Sequence, residues 1–215
     1  EAGVMVLAEV RSFHPLDAAR EDRIDGLLLK GNESGGYVGE SSSYILLQRW
    51  LGRTRLPLYV RGGLTPHVAA ACSAVGVAGG VLDAQLLLMP EARLPESLRS
   101  LLQNLAGSET VAVGDGERGD DVRILVRPGH AVAREFVADG HGLGADELRA
   151  LVGAKLFGWD DPPRGLLPIG QDVCFAAAWR AQFGHVAGVL QAIDGAVARS
   201  EERRVGKSVD LGGRR

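Results

Sequence analysis

Residues 1–90 alternate between short apolar runs and segments with helical spacing, and this alternation constrains the fold more than any other feature. Strands are predicted over residues 4–10, 24–29, 57–61 and 77–81, and helices over residues 16–23, 43–51 and 66–75. A β-α-β-α order is typical of a parallel sheet with helices packed outside it. A (β/α)8 barrel has the same period. Four such units would make half of a barrel.

A glycine-rich loop follows the second predicted strand. It spans residues 31–36, and the next helix begins in the serine run 41–43. Glycine pairs end two strands, as Gly35-Gly36 and Gly62-Gly63, and ligands of such folds bind at the carboxyl ends of the strands. A helix N-terminus beside backbone N–H groups favours an anion, usually phosphate. The alternative is a tight turn without a ligand. No G-x-G-x-x-G joins a strand to a helix, which disfavours a dinucleotide site.

The pattern changes after Pro90. A helix is predicted over residues 94–105, a hairpin of strands over 109–114 and 122–126, a loop over 139–144, a helix over 145–157 and a loop over 159–165. A helical region follows over residues 173–198, which Gly184 and Gly188 divide in our prediction. We therefore predict three parts: a barrel half (1–90), an insertion with a helical extension (91–200), and a polar tail (201–215) that is disordered or non-native.

Several of these segments resemble one known family. The loop 31–39, the strand end Arg61-Gly62-Gly63-Leu64 and the strand 81–85 are similar to the last half of the FMN-dependent nitronate monooxygenase (2-nitropropane dioxygenase-like) barrel, a family that includes flavin-dependent enoyl-acyl-carrier-protein reductases. The sequence is more similar to the version of this barrel built into type I polyketide-synthase-like proteins. Those variants also tend to carry a segment like residues 168–172 before a helix. The resemblance covers residues 4–89 well and residues 167–193 less specifically.

The resemblance implies a partial (β/α)8 TIM barrel, the last four βα units, with a mainly helical C-terminal extension and FMN at its carboxyl face. Ala84 and Gln85 stand where the family has a Gly-Thr pair for the phosphate. Lys30 ends a strand at the same mouth, where it would hold the flavin N1–C2=O region or pair with Glu33 or Asp83. The other residues that the resemblance places at the flavin and its phosphate are Gly31, Glu33, Gly35, Gly36, Gly62 and Gly63.

Tyr37 is the main departure from the family, in which a histidine commonly follows the Gly-Gly pair. A phenol is a poor base at neutral pH but can donate a proton or a hydrogen bond. Enoyl reduction, with Tyr37 as the acid, therefore fits this sequence better than nitronate oxidation.

Three further candidates lie near the predicted mouth. His67 would contact phosphate or simply be an exposed residue at a helix start. Asp83 would serve in the site or cap the following helix. The segment 170–172 would close over the site or begin a helix with Asp172 as its cap.

These observations favour an FMN-dependent oxidoreductase domain of the nitronate monooxygenase/enoyl-reductase group, within a polyketide or fatty-acid synthase. Its partners would be other synthase domains and a small-molecule or acyl-carrier-bound substrate. The alternative is a non-catalytic structural or docking domain that has lost flavin chemistry. A sugar-phosphate isomerase or an aldolase would need a Schiff-base lysine or paired carboxylates, and Lys30 is the one candidate lysine at a strand end.

Composition excludes other classes. A net charge of −3 gives no indication of nucleic acid, and no apolar run suits a membrane span. Cys72 and Cys174 read as small buried hydrophobes in a reducing cytoplasm, and the five histidines have no metal-site spacing with them. Because the first residue is Glu1 and not Met, and the strand predicted over residues 4–10 follows with no lead-in, we expect a fragment. An open half-barrel would expose two sheet edges and would be poorly soluble or dimerise.

Overall fold

The computed structural model describes residues 3–14, 21–116, 120–154 and 165–210. Its strands are β1 (Leu7–Val10), β2 (Gly26–Lys30), β3 (Gly36–Val38), β4 (Leu58–Arg61), β5 (Gly79–Val81), β6 (Thr110–Val113) and β7 (Asp121–Leu125). Its α-helices are α1 (Ser43–Trp50), α2 (Pro66–Ala74), α3 (Glu96–Leu102), α4 (Ala131–Gly140), α5 (Ala145–Ala154), α6 (Ala176–Phe183) and α7 (Val186–Asp210). Short 3-10 helices cover Ala84–Leu86, Pro90–Ala92 and Gln171–Phe175.

The first sheet is the predicted one. Its four strands are parallel and lie in the order β1-β2-β4-β5. Lys30 pairs with Arg61 in the register of the two central strands, so the glycine-rich segments that follow these strands leave the sheet at one edge. The helix predicted over residues 16–23 lies largely outside the described residues.

Helix α1 covers one face of this sheet. Its N-cap is Ser42, whose side chain accepts a hydrogen bond from the N–H of Ile45, as serine commonly does at this position. Leu46 and Trp50 face inwards and pack with Leu27 and Leu29 of β2. All four side chains are at most 1% exposed, and their burial fixes the helix over the strand that ends at the glycine-rich loop.

The second sheet is antiparallel, with the order β3-β7-β6. The predicted hairpin of β6 and β7 is confirmed, but the sequence did not predict that β3 joins it. Tyr37 pairs with Val122, so part of the loop after β2 is a strand of the inserted sheet.

Two helices cover the inserted sheet. The sequence did not predict helix α4. Residues 139 and 140, which were predicted to lie in a loop, belong to the last turn of this helix. Ala133 and Phe136 are buried on the face that packs against β7. Helix α5 is described as far as Ala154. The last three residues of its predicted range, 155–157, and almost all of the loop predicted at 159–165 lie outside the described residues.

The C-terminal helices differ from the prediction in two ways. Gly184 ends α6 in a left-handed conformation, at φ +74°, which is common for glycine after a helix. Gly188, in contrast, lies inside α7, so one glycine divides the region and not two. Helix α7 continues to Asp210. That the tail 201–215 is disordered or non-native stays a prediction.

Two other sequence expectations concern exposure and membranes. Cys72 is half-buried, whereas Cys174 is exposed, so the prediction that both thiols are buried is wrong for Cys174. Within the described residues, no helix combines the length and apolarity needed to cross a bilayer.

Candidate functional site

A carboxylate of the chain itself lies at the N-terminus of α1. Both oxygens of Glu33 are 3.1 Å from the N–H of Ser43, and the Ser43 hydroxyl also donates to Oε1. This is the arrangement that the positive end of a helix favours. Glu33 is therefore an internal anion at the position where the sequence predicted an external one.

The glycines beside Glu33 allow this approach. A Cβ on Gly31 would stand 2.2 Å from Glu33 Oε2, and a Cβ on Gly62 would stand 3.0 Å from Glu33 Cγ. Gly62 and Gly63 have φ of +112° and +62°, which L side chains rarely adopt. The predicted residues Gly31, Glu33, Gly62 and Gly63 are thus brought together at one edge of the parallel sheet.

The segment before α6 packs closely against the same loop. The N–H of Gln171 donates to the carbonyl of Glu33 over 2.7 Å. A Cβ on Gly35 would stand 2.0 Å from Pro168 O, and one on Gly170 would stand 2.4 Å from Glu33 O. Of the two predicted roles for residues 170–172, closure over the loop matches this contact. Asp172 makes no side-chain cap of the 3-10 helix Gln171–Phe175.

Arg123 holds the loop from the side of the inserted sheet, and sequence reasoning missed it. Its side chain is 7% exposed. Its Nε donates to the carbonyl of Asn32, and its Nη1 donates to Thr110 Oγ1 over 3.1 Å. Burial lowers the pKa of this guanidinium, and the negative charge of Glu33 acts against that shift. An arginine in a hairpin carries no sequence signal for a contact with a loop 91 residues away.

Lys30 lies at the end of β2 and is 4% exposed. Its Nζ lies 3.9 Å from Glu9 Oε1, and Glu9 is also 3.7 Å from Arg61 Nη1. The predicted pairing with Glu33 or Asp83 is thus replaced by a long contact with Glu9. Burial lowers the pKa of Lys30 to about 8, although Glu9 acts in the opposite direction. Lys30 is a buried amine that is partly neutral near physiological pH.

Asp83 and Gln85 hold the turn after β5. Asp83 accepts a hydrogen bond of 2.6 Å from Arg61 Nη2 and makes no side-chain cap of the following 3-10 helix. Gln85 is fully buried, and its amide nitrogen donates to the carbonyl of Leu64. A contact between Gln85 and a phosphate would compete with that bond. Ala84 is buried beside it.

Tyr37 is half-buried on β3 and packs against the core of the inserted sheet. The Arg11 guanidinium lies 5.5 Å from the centre of its ring. Gly36 precedes it at φ +76°. The structure thus places Tyr37 on the edge strand of the antiparallel sheet, and its role in proton transfer stays a prediction.

Two buried polar groups near the loop have no hydrogen-bond partner among the described residues. They are the Ser34 hydroxyl, at 0% exposure, and both carboxylate oxygens of Asp172, at 2%. Ser34 Oγ lies 2.8 Å from the point where a Cβ on Gly62 would stand. Burial raises the pKa of Asp172 to about 7, and the negative charges of Asp83 and Glu33 add to this shift. Unpaired polar groups are costly to bury, so a ligand that paired with them would be stabilised there.

His67 is an exposed residue in the first turn of α2, which matches the simpler of its two predictions. The described residues contain no group of three or more His, Cys, Asp or Glu side chains placed to hold a metal ion.

The fold and the position of this loop define a class. The chain is a partial (β/α)8 barrel: parallel strands alternate with helices, and glycine-rich segments meet at the carboxyl edge of the sheet. An antiparallel sheet combines β3, from the segment after β2, with β6 and β7, which follow β5, and a helical segment comes after it.

Known structures share this fold. FabK from Thermotoga maritima superposes with a TM-score of 0.68 at 20% identity, over 95% of this chain and 64% of FabK. Nitroalkane oxidase from Streptomyces ansochromogenes gives a TM-score of 0.64 at 19% identity, over 94% of this chain and 60% of the oxidase. The resemblance to the nitronate monooxygenase-type barrel is confirmed at the level of the fold. This chain spans less than two thirds of either structure.

A curated relative comes from Rhodococcus jostii (strain RHA1), (3aS,4S,5R,7aS)-5-hydroxy-7a-methyl-1-oxo-octahydro-1H-indene-4-carboxyl-CoA dehydrogenase. It is 27% identical over 99 residues, which is 46% of this chain and 28% of that protein. No family model matches the chain.

Proposed function

We propose that this chain is part of an FMN-dependent oxidoreductase of the nitronate monooxygenase/enoyl-reductase group. The observation that carries the proposal is the site itself: the unpaired Ser34 hydroxyl stands beside Gly62, at the edge where two glycine-rich segments of the barrel meet. A hydroxyl and left-handed glycines are suited to a phosphate, because they offer donors and close backbone approach. The fold shared with FabK and nitroalkane oxidase supports the same class.

Each residue has a distinct role in this proposal. Because Glu33 already occupies the N-terminus of α1, the phosphate would be bound instead by Ser34 and the backbone N–H groups of Gly62 and Gly63. Lys30, which is buried and mostly protonated at pH 7, stabilises negative charge on the N1–C2=O side of the ring. Tyr37 donates a proton to the substrate. FMN supplies the hydride chemistry when bound.

The proposed substrate is an acyl thioester, carried by an acyl-carrier domain of a cytoplasmic polyketide or fatty-acid synthase. The name of the Rhodococcus relative, a carboxyl-CoA dehydrogenase, supports a thioester substrate class. Other synthase domains would be its partners.

A second candidate is a non-catalytic docking domain of such a synthase. Two observations favour it: the Gln85 amide already donates to Leu64 O, and the Tyr37 ring packs against the inserted core. The oxidoreductase would bind FMN, whereas the docking domain would not.

The test is the absorption spectrum of the purified full-length protein that contains this chain after desalting, and again after incubation with FMN and a second desalting. The oxidoreductase proposal requires the two flavin bands, with FMN released on denaturation. Tyr37→Phe should retain the bands and lose turnover with an acyl thioester, whereas Tyr37→His should restore part of it. A chain that takes up no FMN would overturn the proposal in favour of the docking domain.

A further inference from the structure

Two adjoining cavities lie where helices α2, α6 and α7 meet. The first has a volume of about 410 Å³, and its lining includes His67, Arg199, Ser200 and Arg203. The second has a volume of about 370 Å³ and shares His67 and Arg199 with the first. Small-molecule sites are commonly cavities of this size, ~300–1,000 Å³. None of the residues that the proposed function places at the flavin lines either cavity.

The lining of the first cavity is cationic. Arg199 and Arg203 lie one turn apart on α7, so that both side chains reach the cavity from the same face of the helix. Among the described residues, neither guanidinium has an ion-pair partner, and no Asp or Glu lines either cavity. Two like charges at this spacing destabilise a helix, and an anion bound between them would offset that repulsion.

Phosphate is the anion that suits this lining. A guanidinium presents several N–H donors in one plane and binds phosphate oxygens in pairs, and the Ser200 hydroxyl offers a further donor. The remaining lining of the first cavity is formed by small side chains, Ala70 and Ala71 of α2 and Ala196 of α7. These alanines leave the space between the two helices open beside the arginines.

The second cavity offers groups of another kind. Gln182 and Phe183 at the end of α6 and Gln191 on α7 belong to its lining. A glutamine amide can pair with the edge of a purine base, and an aromatic ring packs against the face of a base. Groups suited to a phosphate and groups suited to a base therefore lie side by side, with Arg199 common to both cavities.

We propose that these adjoining cavities bind a purine nucleoside phosphate, with its phosphates at Arg199 and Arg203 and its base beside Phe183 and Gln191. The same chemistry occurs in a free nucleotide, such as ADP, and at the adenosine bisphosphate end of coenzyme A. The proposal does not rest on the flavin site, because the two sets of lining residues are separate.

The experiment is isothermal titration calorimetry of the full-length protein that contains this chain, with ADP, coenzyme A, adenosine and pyrophosphate. ADP should bind at least about tenfold more tightly than adenosine, which lacks the phosphates, or pyrophosphate, which lacks the base. Added salt should weaken the binding of ADP, since the attraction between exposed charges is screened.

Variants of the lining test each half of the site. Arg199→Gln and Arg203→Gln should each lower the ADP affinity by about tenfold, because each removes a charged hydrogen bond to phosphate. Gln191→Ala should weaken the binding of ADP but not that of pyrophosphate. Ala71→Glu, at an exposed position of α2, places a carboxylate in the first cavity and should abolish ADP binding. Arg134→Gln, at an exposed position of α4, is the control and should bind as the wild type does.

The outcomes also identify the source of the ligand. Coenzyme A that binds more tightly than ADP assigns the site to coenzyme A, whereas coenzyme A that does not assigns it to free nucleotides. The proposal is overturned if neither ligand binds, if both arginine variants bind ADP as the wild type does, or if pyrophosphate binds as tightly as ADP. Retention of FMN, measured separately by absorption, decides the proposed function whichever of these results is found.

Discussion

The N–H of Gln171 donates to the carbonyl of Glu33 over 2.7 Å, although 138 residues separate them by residue number. This bond joins the segment before α6 to the glycine-rich loop after β2. The Glu33 side chain is bound in turn to the first residue of α1. The loop is therefore fixed from two directions, by a helix close to it in sequence and by the start of the distant 3-10 helix Gln171–Phe175.

Gln171→Pro tests this bond. Proline removes the donor but suits the first position of a helical turn, and Gly170 before it is extended, with ψ of 170°. We expect unfolding free energy to fall by about 1–2 kcal/mol, the usual effect of losing a buried hydrogen bond. Gln171→Ala keeps the N–H and should change stability little, since the side chain is exposed. Urea denaturation measures the free energy of unfolding of both variants. Equal values for Gln171→Pro and Gln171→Ala would contradict a stabilising role for the bond.

Gly35→Ala tests the contact between the loop and residue 168. The new Cβ would stand 2.0 Å from Pro168 O, so one backbone segment must move. We expect a loss of about 3 kcal/mol or more, typical of severe overpacking, together with weaker flavin binding. Gly153→Ala is the control, because nothing lies within 4 Å of its Cβ. Gly153→Ala lies in a helix and should leave the free energy of unfolding unchanged or raise it by about 1 kcal/mol. Thermal unfolding of Gly35→Ala and Gly153→Ala measures the difference.

Asp172 should make the stability of the ligand-free chain depend on pH. Its pKa is about 7 in the folded state against an ordinary 3.8, so the folded state holds the proton more tightly. Its stabilising contribution is complete below pH ~4 and is lost as the pH rises towards 7. Asp172→Asn should therefore be more stable than the wild type at pH 8, by a few kcal/mol at most, and similar at pH 4. Urea unfolding at both pH values measures this, and a variant less stable at pH 8 would contradict it.

Sequence reasoning recovered the parallel sheet because its signals are local. The apolar runs, the serine cap of α1 and the left-handed glycines each follow from residues close in the chain. It also placed Gly31, Glu33, Gly62 and Gly63 at one edge, since parallel strands share their carboxyl ends.

The missing part of the site depends on contacts between distant segments. No pattern near Arg123 indicates that it binds the carbonyl of Asn32. The pairing of Tyr37 with Val122 is equally non-local, and a three-residue strand is too short to show a period. Helix α4 escaped prediction although Ala133 and Phe136 have helical spacing.

Lys30 should lower the free energy of unfolding, although the proposed function gives it a role in binding FMN. Its pKa is lowered to about 8 from 10.5, so the folded state holds this proton less tightly than the unfolded state. The resulting cost is present below pH 8 and is relieved as the pH rises towards 10.5. We expect Lys30→Met to raise the unfolding free energy at pH 7 and to weaken FMN binding, a trade-off typical of functional residues.

Denaturation of Lys30→Met at pH 7 and pH 10 and fluorescence titration with FMN measure the two effects. The gain in stability should shrink at pH 10, where the neutral amine is no longer penalised. Unchanged FMN affinity would assign Lys30 to the ion network of Glu9 and Arg61 alone.

The β3–β7 pairing has a consequence for the order of events on the ribosome. Chains are made from the N-terminus, and residues 36–38 leave the exit tunnel well before their partners at 121–123. The parallel sheet and α1 can form early and hold the glycine-rich loop through Ser43 and Arg61, but the loop lacks its contacts with Arg123 and Gln171 until the inserted sheet and then residue 171 have emerged. A nascent chain stalled before residue 121 should therefore carry a protease-sensitive loop, which becomes protected only in longer translation intermediates.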